Sequence, residues 1–353
     1  MKIAYTVSTI NYLWQAENLS QSFLKHNPDY TIFVCITDRL TIDLDIKSYK
    51  FSFEIVWIDD LHVPTWNKMV EYYNIAELVM STKALAISYL FNKYNPDFAI
   101  YLDSDIIVFD HFQLVETQLE HYNICLTPYC CTQMPVISPI ESIENSFSDQ
   151  QPFEDRTMLY SGIYNMGFIA VKNVKENKKF IQWWCEMSMN QCFLGRKQGM
   201  FGEQLCINLV PIYFEKVLVI KDVGYNAASW NFHERNFSEK DGKFYVNDKF
   251  PLVFYHYSGY SADYPDRITR WTPLTFDDKP DVKPIFKPYH EASKLNKYPE
   301  LRNKISYFVE MKKQLLEQKK VIVIEPLQYR ILRRLLMYVP KSIREDFRNI
   351  LMS

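Results

Sequence analysis

No glycine occurs in the first 161 residues of this 353-residue chain, and all eight lie between Gly162 and Gly259. A dinucleotide fingerprint or a phosphate-cradling P-loop needs glycines where backbone amides crowd around phosphate, at the first strand-to-helix turn. That turn here contains none, which disfavours Rossmann dehydrogenases and P-loop kinases.

The same stretch nonetheless alternates strand and helix. Ile3 to Ser8 reads as a buried strand, after which Leu13, Ala16, Leu19, Phe23 and Leu24 recur at helical spacing until Asn27-Pro28. Tyr30 to Thr37 and Phe53 to Ile58 are strand-like, Ser81 to Tyr94 is helical up to Asn95-Pro96, and Phe98 to Phe109 is β-rich apart from two acids. This predicts an α/β layer structure with a mixed, mainly parallel central sheet and ligands at its carboxyl strand ends. The texture changes near residue 275, so we expect a main α/β domain over 1–275, a Pro/Lys-rich linker and helix over 276–325, and a basic amphipathic tail over 326–353.

Forty Lys and Arg against 42 Asp and Glu leave a net charge of -2, without the electrostatic footprint of a nucleic-acid binder. No apolar run approaches the ~20 residues of a membrane span. Lys2 and the segment after it read as a first strand rather than a signal peptide, because Thr6, Ser8 and Thr9 interrupt the apolar run. Seven cysteines without a CxxC spacing fit a reducing, cytoplasmic setting. In the tail, Arg330, Arg333 and Arg334 share one helical side, and Ile331, Leu332, Leu335, Leu336 and Tyr338 the other. That pattern fits either a helix docked on its own domain or a peripheral contact with an anionic membrane surface.

Ala99-Ile-Tyr-Leu-Asp103-Ser104-Asp105 ends an apolar strand with two carboxylates two residues apart. Hard divalent ions take oxygen ligands and neutralise a leaving diphosphate, so this strand end suits metal-assisted transfer from a nucleotide-activated donor. Spacing alone is weak, since Asp43-Leu44-Asp45 also fits, and both acids could instead bond loop amides. A haloacid dehalogenase-type phosphatase has a similar fragment, but no glycine here precedes an Asp to give its later Gly-Asp motif.

Four later segments follow in order: Gly162-Ile-Tyr-Asn165-Met-Gly167, Phe201-Gly-Glu203-Gln204, Gly224-Tyr-Asn226-Ala-Ala-Ser-Trp230-Asn231, and Tyr255-His256-Tyr-Ser258-Gly259-Tyr260. Together with Asp103-Ser-Asp105 the chain resembles GT-A-fold glycosyltransferases, being similar to glycosyltransferase family 8 and to bacterial relatives that assemble surface polysaccharides, over about residues 1 to 270. The resemblance implies Mn2+ or Mg2+ held by Asp103, Asp105 and His256. It further implies a nucleotide-diphosphate sugar donor contacted by Thr6, Val7, Lys83, Ser104, Asn165, Ser258 and Gly259. A lysine that relatives carry after the His-x-x-Gly element is replaced by Tyr260-Ser-Ala-Asp-Tyr264.

Glu203-Gln204 stands where the family carries Asp-Gln, near the transferred sugar. In a retaining route Gln204 lies beneath the anomeric carbon; in an inverting one Glu203 takes the acceptor proton. Both stay open, with retention preferred, and a helix N-terminal cap is an alternative role for this pair. Trp230, Tyr260 and Tyr264 are expected to stack on a glycan or lipid-linked acceptor. A metal-dependent glycosyltransferase, peripheral on the inner membrane face, is therefore the expected activity. A GT-A-like protein that binds glycan or nucleotide without turnover is the alternative, ahead of the phosphatase.

Overall fold

The computed structural model describes the chain except residues 40–44, 137–152, 196–197, 262, 265, 296–297 and 323–353. The basic tail over 326–353, its membrane contact, and Asp43 thus lie outside the described residues. Contacts group Met1–Phe308 into one compact unit and Val309–Ser353 into a second.

The strands of the first half are β1 (Lys2–Ser8), β2 (Tyr30–Ile36), β3 (Glu54–Trp57), β4 (Phe98–Leu102), β5 (Ile106–Val108), β6 (Ile124–Pro128) and β7 (Tyr164–Lys172). Then come β8 (Leu194–Gly195), β9 (Met200–Phe201), β10 (Val217–Val219), β11 (Phe237–Lys240), β12 (Lys243–Val246), β13 (Phe250–Pro251) and β14 (Phe254–His256). A seven-stranded sheet runs in the order β10-β6-β7-β4-β1-β2-β3. Its strands are parallel except β7, which runs antiparallel to both β4 and β6. The expected mixed, mainly parallel sheet is what forms, and its central strands β4 and β6 are buried at every position.

Helices cover both faces. On one lie α1 (Leu13–His26) and the core around Phe23, Phe112 and Phe168; on the other lie α3 (Ile75–Tyr94) and α6 (Asn177–Gln191), around Tyr5, Ile87 and Trp184. The short helices are α2 (Trp66–Tyr72), α4 (Gln113–Gln118), α5 (Asp155–Ser161), α7 (Gln204–Ile207) and α8 (Val210–Tyr213). α1 stops before Asn27-Pro28 and α3 at Asn95, in left-handed conformation ahead of Pro96, as the sequence predicts. α3 begins earlier than its apolar run indicates, because Asn74 and Glu77 form a reciprocal N-terminal cap.

Two features differ from the sequence reading. The β-rich run Phe98 to Phe109 is broken at the two acids: β4 stays in the main sheet, and β5 leaves it to pair antiparallel with β14. Residues 276–308 belong to the first unit. They hold α9 (Lys283–Lys294), α10 (Pro299–Arg302) and the start of α11 (Tyr307–Ile322), and α9 buries Ile285, Phe286 and Tyr289 in a third core cluster. No helix among the described residues is long and apolar enough to cross a membrane.

Candidate functional site

Asp103 follows β4 directly, and its N–H donates to the carbonyl of Gly167 on β7 at 2.9 Å. Ser104 and Asp105 then turn the chain into β5. Pairing of β5 with β14 sets His256 opposite Ile106, so the imidazole arrives beside the two acids. Its Nε2 lies 3.0 Å from Asp105 Oδ1 and 3.7 Å from Asp103 Oδ2. One ligand atom from each of the three side chains lies within 4.8 Å of the others. The structure thus brings together the three residues expected to hold a cation.

Both carboxylates are about a quarter exposed (26% and 25%) while His256 is buried at 5%. Burial opposes ionisation of Asp105, but the facing imidazole outweighs it and holds the carboxyl below its ordinary value. Conversely, burial disfavours the imidazolium, yet Asp105 and Asp103 raise the His256 pKa. Two carboxylates and one imidazole, partly open to solvent, form a donor set that could hold a divalent cation. Among the described residues one other cluster, Asp29, His111 and Glu116, has comparable spacing. There the Lys2 ammonium already bridges Asp29 at 2.7 Å and Glu116 at 2.8 Å.

Gly167 makes room for this arrangement. A Cβ at that position would lie 2.5 Å from His256 Cε1 and 2.7 Å from Asn165 Oδ1. The backbone of β7 can pass the imidazole only without a side chain.

Lys83 does not sit on a solvated helix face. α3 turns it inward, 5% exposed, where its ammonium meets Asp103 Oδ1 at 3.0 Å, Glu203 Oε1 at 2.7 Å and the Met166 carbonyl at 3.0 Å. Burial opposes its charge, but Asp103 and Glu203 together raise its pKa above the ordinary lysine value. Burial also pushes the Glu203 carboxyl up, with Lys83 pulling the other way. Tyr101, two residues before Asp103 on the same strand face, donates its hydroxyl to Asp103 Oδ1.

Gln204 is fixed at both ends of its amide. Oε1 accepts from the Tyr129 hydroxyl at 3.0 Å and the Met166 N–H at 3.1 Å, and Nε2 donates to the Ser161 carbonyl at 2.6 Å. Asn165 Oδ1 accepts from Gly167 N–H at 3.0 Å and from Asn226 Nδ2 at 3.1 Å. Glu203 and Gln204 open the short α7, but no side-chain cap bond forms there.

The Ser258-Gly259 turn is strapped by the following loop. Arg270 N–H donates to the Gly259 carbonyl at 2.9 Å, Thr269 Oγ1 to the Ser258 carbonyl at 2.9 Å, and Trp271 Nε1 to Ser258 Oγ at 3.3 Å. Gly259 has φ +75°, and a Cβ would lie 2.6 Å from Thr269 Oγ1, so glycine is required on both counts. Among the described residues the Ser258 hydroxyl accepts from Trp271 and donates to no partner.

The remaining expected contacts are mixed. Thr6 and Val7 lie at the carboxyl end of β1, both buried; the Val7 side chain belongs to the core beside Phe33 and Tyr101, and Thr6 Oγ1 has no partner among the described residues. Ser104 Oγ donates to Gln15 Oε1 at 3.4 Å. Trp230 stacks edge-on against His256 and Tyr129, with ring centroids 5.1 Å and 5.2 Å away. Tyr260 is engaged with α9 through His290 and Ser293, and Tyr264 is 58% exposed beneath the Arg267 guanidinium. Sequence reasoning singled out none of Tyr101, Tyr129 or Gln15, and named Asn226 within a motif without giving it a role. The one available signal was that Tyr101 lies near the carboxyl end of β4 and Tyr129 directly after β6, where ligands collect.

No family model matches the chain. It is similar to the uncharacterized protein YfnF of Bacillus subtilis (strain 168), 27% identical over 290 residues that cover 81% of this chain and 91% of that one. Among solved structures it is similar to galactosyltransferase LgtC in complex with donor and acceptor sugar analogs, with a TM-score of 0.46 and 14% identity, covering 88% of this chain and 100% of that one. It is also similar to the glycosyltransferase GlyE in Streptococcus pneumoniae TIGR4, with a TM-score of 0.38 and 14% identity, covering 63% of this chain. The match spans about half (47%) of the GlyE chain.

Proposed function

We propose that this protein is a GT-A-type glycosyltransferase that uses Mn2+ or Mg2+ to move a sugar from a nucleotide-diphosphate donor to a glycan or lipid-linked acceptor. One observation carries the reading. His256, distant in sequence from Asp103 and Asp105, converges with them at the carboxyl end of β4 within 4.8 Å, a site whose Asp103 is joined through Lys83 to Glu203.

In this reading the three side chains hold the cation, which when bound neutralises the donor diphosphate. Ser258 donates to a phosphate oxygen, and Gly259 lets backbone approach it. Thr6 and Val7 border the nucleotide base through their strand end, while Ser104 and Asn165 contact the donor. Lys83 balances Asp103 and Glu203 beside the departing phosphate.

The chemistry breaks the bond between the anomeric carbon and the phosphate oxygen and forms one to the acceptor oxygen. The acceptor proton passes to the departing phosphate in the retaining route. Two features favour retention. The Glu203 carboxylate is 3% exposed and paired with Lys83, which leaves it poorly placed as a base. Gln204 is held by three hydrogen bonds in one orientation, as a residue fixed beneath the anomeric carbon would be. Trp230 lies on the acceptor side in this reading, with Tyr260 and Tyr264 further out.

The setting we propose is cytoplasmic, in assembly of a bacterial surface polysaccharide, with the basic segment 326–353 meeting anionic lipid. Flotation with anionic vesicles of chains with and without that segment tests the lipid contact.

The activity is tested by incubating the protein with manganese and a panel of nucleotide-diphosphate sugars and measuring released sugar. One donor should be hydrolysed, and Asp105→Ala should abolish the reaction while leaving the melting temperature near that of the wild type. Equal turnover by Asp105→Ala would remove the metal assignment. Phosphomonoester cleavage in place of donor hydrolysis would favour a phosphatase.

A further inference from the structure

The strands that carry Asp105 and His256 to each other are three residues long apiece, Ile106–Val108 and Phe254–His256. Two strands of this length do not hold together in water unless a helix or further sheet covers them. Alternation sends Phe254 and His256 to one face and Tyr255 and Tyr257 to the other. Phe254 accordingly packs in the main core, whereas Tyr255 and Tyr257 join Ile107 in a separate cluster with Ile285, Phe286 and Tyr289 of α9.

The contact with α9 is close and directional. The rings of Tyr257 and Tyr289 stack at 4.1 Å between centroids with 5° between planes. The Tyr257 hydroxyl donates to the Ile285 carbonyl at 2.7 Å, and its backbone N–H donates to the Asp105 carbonyl at 2.8 Å. Tyr257 therefore touches α9 with its side chain, Asp105 with its backbone and His256 through the peptide bond. A further tie runs from the Tyr289 hydroxyl, which accepts from Gln15 Nε2 at 2.9 Å, to Ser104 between the two acids, whose hydroxyl donates to Gln15 Oε1 at 3.4 Å.

We propose that Tyr289 is a positioning residue for the cation site: its ring, stacked on Tyr257, sets the separation of Asp105 and His256, and α9 is a working part of the site. This rests on the reading of Asp103, Asp105 and His256 as metal ligands. Tilting of Tyr257 after loss of the stack would carry the Asp105 backbone and the His256 Cα with it, which spoils a donor set held to narrow distances.

The test is a manganese titration of the full-length protein, followed by the electron paramagnetic resonance of free manganese. Groups that orient metal ligands change metal affinity by about 10–100-fold when removed, so Tyr289→Ala and Tyr289→Leu should each weaken manganese binding by about tenfold. Tyr289→Phe keeps the ring and should bind within about twofold of wild type, as should Phe180→Leu, which weakens the opposite core layer without touching α9. Unchanged affinity in the folded Tyr289→Leu variant overturns the proposal, as does Tyr289→Phe binding as weakly as Tyr289→Ala, or an equal loss in Phe180→Leu. A wild type that binds no manganese overturns both the ligand assignment and this inference. Donor hydrolysis measured in parallel tells these outcomes apart from a failure of the transferase reading alone, in which manganese binds and Tyr289 governs its affinity but no sugar is released.

Discussion

Gly167→Ala is the sharpest probe of how the site is assembled. Gly167 is a strand residue, and alanine there meets a packing conflict. Its Cβ would lie 2.5 Å from Cε1 and 2.6 Å from Nδ1 of His256. Non-bonded carbon atoms settle at about 3.5–4.0 Å, so the imidazole has to retreat by about 1 Å. It cannot swing freely, because Asp105 Oδ1 stands 3.0 Å from its Nε2 and the Trp230 ring stands edge-on to it, centroids 5.1 Å apart. β7 cannot yield easily either, since Gly167 O accepts from Asp103 N–H at 2.9 Å and Gly167 N–H donates to Asn165 at 3.0 Å. Overpacking of this kind costs about 1–3 kcal/mol of stability. The functional loss should be larger in relative terms, as ligand distances hold to about 0.2 Å and a misplacement of about 1 Å costs on the order of 10²-fold in rate. Manganese titration, manganese-dependent donor hydrolysis and urea denaturation of the variant supply the three readouts. A folded Gly167→Ala protein with wild-type manganese affinity would refute the argument that β7 shapes the ligand set.

Lys83→Met removes the cation from a buried pair, which typically costs about 3–5 kcal/mol in urea denaturation, and adding Glu203→Gln should restore part of that loss. If the single variant is as stable as the wild type, Lys83 does not neutralise Glu203. Tyr129→Phe deletes one donor to Gln204 and should cost about 1 kcal/mol while lowering kcat with manganese affinity unchanged; a parallel fall in manganese affinity would contradict the separation of these two parts of the site. Asp38 is 1% exposed, and burial raises its carboxyl above the ordinary aspartate value against hydrogen bonds from the Arg39 and Tyr307 backbone. Folding thus favours its protonated form, whose contribution is complete below the ordinary value and is lost as pH rises through the raised one. The stability of Asp38→Asn relative to wild type should accordingly improve between about pH 4 and pH 7 in urea denaturation, and a gap that stays constant over that range would contradict the raised value.

Much of the scaffold was written locally. The strand and helix alternation from Ile3 to Tyr94, the stops at Asn27-Pro28 and Asn95-Pro96, and the two acids closing an apolar strand all follow from side-chain periodicity and turn chemistry, which act over a few residues. The same locality explains the boundary placed near 275. Asp277 to Pro288 has the composition of a linker, yet Ile285, Phe286 and Tyr289 become buried because Tyr255 and Tyr257 need a covering helix.

The sequence by itself therefore determined the sheet class, the strand end where polar chemistry gathers and the residue types available there. Only the tertiary structure decided which of them meet. The register of β5 against β14 brings His256 to Asp105, the rotation of α3 turns Lys83 inward to Glu203, and the absence of a Cβ at Gly167 lets the imidazole settle. Periodicity fixes which face of an element is buried, but the partner across that face depends on packing between segments remote in the chain, which no local pattern encodes.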